Sequence, residues 1–131
     1  MAIEVMDLAG YAKREAARIM VMDTRKMHAW VHYAQPGERE EMHCHNQDQT
    51  MLILEGECTM SFPDGGQAVL TAGMAALIQG GSFYELLNTG AGPLIFMGTR
   101  TGPHSSNKRI SYATREHTPA RGRITGCWSF C

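Results

Sequence analysis

Punctuation is what most constrains this chain. Between Arg18 and Arg100, apolar and β-branched residues come in short runs, and each run stops at Gly, Pro, Asn or Asp. That is the pattern of short antiparallel strands stacked as a sandwich or barrel, and it makes the expected fold all-β. The runs predict strands near Arg18–Asp23, Met27–Ala34, Glu41–His45, Thr50–Glu55, Glu57–Phe62, Gln67–Leu70, Met74–Ile78, Phe83–Asn88 and Leu94–Arg100, after a helical turn or two around Asp7–Ala17. Turns fall at Gln35-Pro36-Gly37, Pro63-Asp64-Gly65-Gly66, Gln79-Gly80-Gly81 and from Asn88 to Pro93. The second is the strongest hairpin signal, because Asp and Gly tolerate the positive φ of tight turns. Beyond Thr101 the chain turns polar and patchily basic, as in Ser105-Ser106-Asn107-Lys108-Arg109, and this tail is expected to wrap the barrel or pair with a second subunit.

With 131 residues, 44% of them hydrophobic, the chain suits one domain over 1–131 that buries a core without disulfide staples. Twelve basic residues against thirteen acidic ones leave a net charge of -1, and no long basic run exists, so nucleic acid is not an expected partner. No apolar stretch approaches the roughly 18 residues that cross a bilayer, and MAIEVMDLAGYAKRE lacks the hydrophobic segment of a signal peptide. No membrane partner and a cytoplasmic location are expected. In a reducing compartment Cys44, Cys58, Cys127 and Cys131 stay thiols, and the Cys127-x3-Cys131 pair reads as two incidental thiols on a tail. Ten methionines suit an irregular core or an adaptable apolar pocket.

Chemistry concentrates in Met42-His43-Cys44-His45-Asn46-Gln47-Asp48-Gln49. Side chains alternate faces along a strand, so His43 and His45 point the same way and can hold one metal ion, whereas Cys44 points to the opposite face. His28, Trp30 and His32 likewise share a face, either pocket wall or dimer surface.

Two motifs in register resemble the cupin superfamily. Gly37, His43, His45, Gln49 and Gly56 reproduce the spacing of its first motif, with Gln49 where the family usually has Glu. Gly73, Gly81, Tyr84 and Asn88 reproduce its second, with Gln79 in place of Pro and Tyr84 in place of His. The resemblance spans about residues 35–100. It implies a single-domain double-stranded β-helix, or jelly-roll barrel, that commonly pairs as a homodimer. It also implies one divalent transition metal (Fe, Mn, Ni, Cu or Zn) held by His43, His45, Gln49 and Tyr84.

Gln49 leaves such an ion one negative charge short. Tyr84 restores it as a phenolate ligand, stays unligated as a general acid or base, or simply packs with its hydroxyl bonded to the barrel rim. Trp30, His28, His32, Met51, Ile53, Met60, Leu86 and Phe96 are the expected pocket lining, suited to a small, partly apolar organic substrate. Arg39 and Arg100 are candidate carboxylate anchors whose default is the solvated surface, and His104 is a possible extra ligand, His117 a surface residue. The expected function is metal-dependent chemistry on a small molecule, either Lewis-acid lyase or isomerase work or Fe-dependent dioxygenation. The alternative is a non-catalytic barrel that binds a small ligand for sensing or storage.

Overall fold

A computed structural model describes residues 2–119. Among them lie one helix, α1 (Leu8–Glu15), and eleven strands: β1 (Ile19–Asp23), β2 (Met27–Ala34), β3 (Arg39–His45), β4 (Gln49–Glu55), β5 (Glu57–Ser61), β6 (Gln67–Thr71), β7 (Ala75–Ile78), β8 (Tyr84–Asn88), β9 (Leu94–Thr101), β10 (Lys108–Ser111) and β11 (His117–Pro119). They form two antiparallel sheets, ordered β1-β2-β9-β4-β7 and β11-β10-β3-β8-β5-β6, packed face to face as a jelly roll. Among the described residues no helix is long and apolar enough to cross a membrane. Cys127 and Cys131 lie outside the described residues.

The nine strands expected from the punctuation all form, within a residue or two of their expected ends. The polar stretch after Thr101 contributes more than expected. A short 3-10 turn at His104–Ser106 leads into β10, which pairs with the histidine strand β3 of the same chain, Arg109 opposite His45 and Ser111 opposite His43. Its sequence KRIS lacks an apolar run, and the β3 edge supplies the ordering that local propensity does not.

The helix starts where Asp7 accepts a hydrogen bond from the Gly10 amide and ends at Ala16, in the left-handed region with φ 47°. Its apolar face, Leu8, Tyr11 and Ala12, covers Ile19, Val31 and Ile95 on the outer side of the first sheet. The residues alternating with those, Trp30, Met51, Ile53 and Phe96, point inward and meet Met60, Leu70 and Leu86 of the other sheet. His28, Trp30 and His32 therefore line the interior of the barrel, not a dimer face.

Candidate functional site

A bulge in β3 sets the histidines. Pairing with β8 runs Glu40 opposite Leu86 and then His43 opposite Tyr84, so β3 spends one more residue than its partner between those points. The extra residue brings Glu40 and His43 to the same inner face, although strict alternation would oppose them. It also turns the Glu41 carbonyl toward the imidazole. His43 Nδ1 donates to that carbonyl at 2.6 Å, which leaves Nε2 as a bare lone pair. This atom is buried and has no protein partner.

His45 is held differently. Its Nε2 faces Arg100 Nη2 at 3.0 Å, and since a guanidinium only donates, Nε2 must accept. The proton then resides on Nδ1, which donates to Asn107 Oδ1 at 2.9 Å. Asn107, just ahead of β10, is a site residue the sequence does not announce.

Arg100 is the largest correction to the surface expectation. It is 2% exposed, and its Nε donates to Gln49 Oε1 at 2.6 Å. That bond also orients the amide: the oxygen must face the arginine, so Nε2 donates to Tyr84 Oη at 2.8 Å. A continuous relay therefore runs from Arg100 through Gln49 to Tyr84. The guanidinium lies 4.1 Å from the ring centre of Trp30, and Arg18 approaches the same indole at 4.8 Å. Trp30 can lie flat there because Gly98 is opposite, where a Cβ would overlap the indole. Arg18 also donates to His32 Nδ1 at 3.3 Å and faces Glu40 at 3.9 Å. Arg39, by contrast, is exposed and meets Glu85 only loosely, at 4.0 Å.

The four expected ligands thus gather at one centre, and their donor atoms can be tested against a metal ion. His43 Nε2 is available. His45 Nε2 and Gln49 Oε1 are both engaged by Arg100, and Tyr84 Oη accepts from an amide. An ion using His45 would have to displace a fixed cation from the same lone pair, so this arrangement does not fit a metal. Among the described residues no group of three or more His, Cys, Asp or Glu is placed to hold one.

Tyr84 is also the boundary of an open cavity of about 510 Å³. Its walls are mostly apolar, Met60, Phe62, Leu70 and Ile78 among them, with Gln79 as a polar point at the second-motif position usually held by proline. Of the expected pocket lining, Met60 borders this space. His32, Leu86 and Phe96 line a second, much smaller cavity of about 20 Å³, and His28, Trp30, Met51 and Ile53 are buried in the barrel interior.

His104 packs against His28, ring centres 5.4 Å apart, rather than joining the His43 and His45 pair. Burial lowers the His28 pKa, with Arg100 adding to the effect and the bond from Nδ1 to the Gly102 carbonyl opposing it. Cys44 faces away from the histidines, as expected, and is buried. Burial raises its thiol pKa and pushes Cys58 up to about 11, so neither is a ready nucleophile.

Fold and site together define a small double-stranded β-helix with a polar centre beneath an apolar mouth. The family model described as a cupin domain matches residues 30–99, over half of the chain, and the chain belongs to that family. No curated protein matches it in sequence. A solved structure from Bacillus halodurans superposes with a TM-score of 0.69 at 23% identity, over 76% of this chain and 81% of its own. The polyketide cyclase RemF of Streptomyces resistomycificus gives 0.55 at 18% identity, over 60% and 56%. A putative sugar phosphate isomerase of Acidithiobacillus ferrooxidans gives 0.63 at 13%, over 82% and 74%. At these identities the likeness is one of fold.

Proposed function

We propose that this barrel is a lyase or isomerase that moves a proton on a small, largely apolar organic molecule seated in the mouth, with Tyr84 as the acid and His43 Nε2 as the base. The relay into Tyr84 carries this reading. A phenol that accepts a hydrogen bond from Gln49 does not give its proton to residue 49, and the donated N–H stabilises the phenolate left when that proton moves. Arg100 on the far side of the amide polarises it in the same sense. A carboxylate at position 49 would do the opposite and take the Tyr84 proton for itself. That is a reason for glutamine where the family usually has glutamate. His43 supplies the complementary group, an imidazole with Nδ1 protonated and Nε2 unpartnered beside the Tyr84 ring, 4.8 Å between centres.

The metal-assisted alternatives, a Lewis-acid reaction or Fe-dependent dioxygenation through His43, His45, Gln49 and Tyr84, need lone pairs that Arg100 engages. Capture of the same ligand without turnover is the second reading, favoured by a mouth lined mostly with apolar side chains.

One experiment separates the two. Cyclic ketones, lactones and aromatic hydroxy compounds are screened by thermal shift. Those that bind are then incubated anaerobically with chelator in D2O and followed by NMR for exchange of carbon-bound hydrogen. The enzyme reading expects exchange in at least one bound compound, slowed about 100-fold or more in Tyr84→Phe while affinity stays within roughly threefold. Binding without exchange in any compound would leave the capture reading in its place.

A further inference from the structure

We propose that Arg100 is the resident cation of this barrel: its guanidinium permanently takes the lone pairs that would otherwise hold a divalent metal, so position 49 needs no charged ligand and an amide suffices there. The inference concerns what occupies the centre and is independent of the reaction assigned to Tyr84.

Three separate features point the same way. The first is that both acceptors are already engaged by N–H donors of Arg100. Asn107 takes the Nδ1 proton of His45 and so presents the Nε2 lone pair to Arg100, and the Gln49 amide presents oxygen to Arg100 and nitrogen to Tyr84. The second is that the cation has a fitted seat. Trp30 lies beneath it, flat against the sheet only because position 98 is glycine, and the register of β9 sets Arg100 directly between His28 on β2 and Gln49 on β4. The third is charge. A guanidinium is always protonated, and at the short range set by these contacts it repels a second cation inside a low-dielectric barrel.

What a charge at residue 49 can do then depends on residue 100. With a metal ion, a carboxylate at 49 adds a charged ligand and strengthens binding. With a guanidinium already seated, the same carboxylate is consumed by the arginine and recruits nothing.

That contrast supplies the test. Wild type, Gln49→Glu, and Gln49→Glu combined with Arg100→Met are purified without affinity tags that bind metal. Each is titrated calorimetrically with Zn2+, Ni2+ and Mn2+, and bound metal is counted after dialysis. Wild type and Gln49→Glu should both carry no stoichiometric ion, with Gln49→Glu melting at or above the wild-type temperature. The double variant should take one ion per chain, at least roughly tenfold tighter than wild type, a ratio equal to about 1.4 kcal/mol. Adding His43→Ala should abolish that uptake.

Wild type holding an ion that His43→Ala removes would overturn the inference. So would metal uptake by Gln49→Glu alone, or a folded double variant that takes none. If the double variant fails to fold, the first two proteins decide the matter, since both must remain metal-free for the inference to stand.

Discussion

The two halves of the barrel interior are built on opposite principles. Around Arg100 the key bonds each have an assigned donor, so the cluster of His45, Asn107, Gln49 and Tyr84 has one consistent arrangement of protons. Toward the mouth, Met60, Phe62, Leu70 and Ile78 present flexible or branched apolar surface with no directional demand. The polar half is specified by geometry and the apolar half by volume. Under the proposed reading, a ligand in the mouth would be held loosely and would meet at Tyr84 a phenol that already accepts from Gln49. Pre-organisation of that kind is what a proton transfer needs and what simple capture does not.

The largest effect should come from the side chain that both halves share. Trp30 packs in the apolar cluster and also carries Arg100 on its face. Trp30→Ala should cost about 4 kcal/mol in denaturant unfolding, whereas the volume-conserving Met60→Leu in the mouth should cost under about 1.5 kcal/mol. Equal losses would mean that the two halves are not built differently. A Trp30→Ala loss near that of Met60→Leu would also remove the indole as the seat of the cation.

The legibility of the chain divides along the same line. The fold was open to sequence reading because strand periodicity and turn residues act locally. Gly56, for example, stands at φ 88°, where a side chain would also strike the Pro93 carbonyl, so a motif glycine marks a backbone need that any reader can see. The facing of His43 and His45 followed from strand alternation, whereas Gln49 and Tyr84 were placed beside them only by the resemblance to the cupin motifs. Neither route reaches Arg100 or Asn107. An arginine near the end of a strand carries a solvated prior, and only the pairing of β9 between β2 and β4 shows that it enters the barrel. Asn107 sits in a polar stretch with no apolar period, and β10 becomes a strand through its pairing with β3. The β3 bulge was equally hidden, being a property of two strands together rather than of either one.

Asn107 offers the intermediate effect. Asn107→Ala removes the acceptor that keeps the His45 proton on Nδ1, and should cost about 1–2 kcal/mol in unfolding free energy. The sharper readout is the imidazole tautomer. Nitrogen NMR should find His45 protonated on Nδ1 in wild type and a mixed or reversed tautomer in the variant. An unchanged tautomer would show that Arg100 alone dictates it, and that the polar half is fixed from one side only.

The smallest effect belongs to His28, which stands level with Arg100 and is likewise buried. Its Nδ1 donates to the Gly102 carbonyl at 3.0 Å, while Nε2 is buried without a partner. Protonation would place a second positive charge beside Arg100 and an N–H with no acceptor. Burial is accordingly the main cause of its lowered pKa, Arg100 and His104 push the same way, and Asp23 opposes them. The unfolded chain then binds the proton more readily than the folded one. Stability from this residue is complete above the ordinary value of 6.5 and falls as pH drops through that value toward the lower folded one. Urea midpoints at roughly pH 7.5 and 5.5, either side of an ordinary imidazole, should therefore differ more in wild type than in His28→Asn, whose amide can still donate to Gly102 without titrating. Identical pH dependence in the two proteins would mean that His28 accepts its proton in the fold as easily as in water, and that the polar half tolerates a second cation after all.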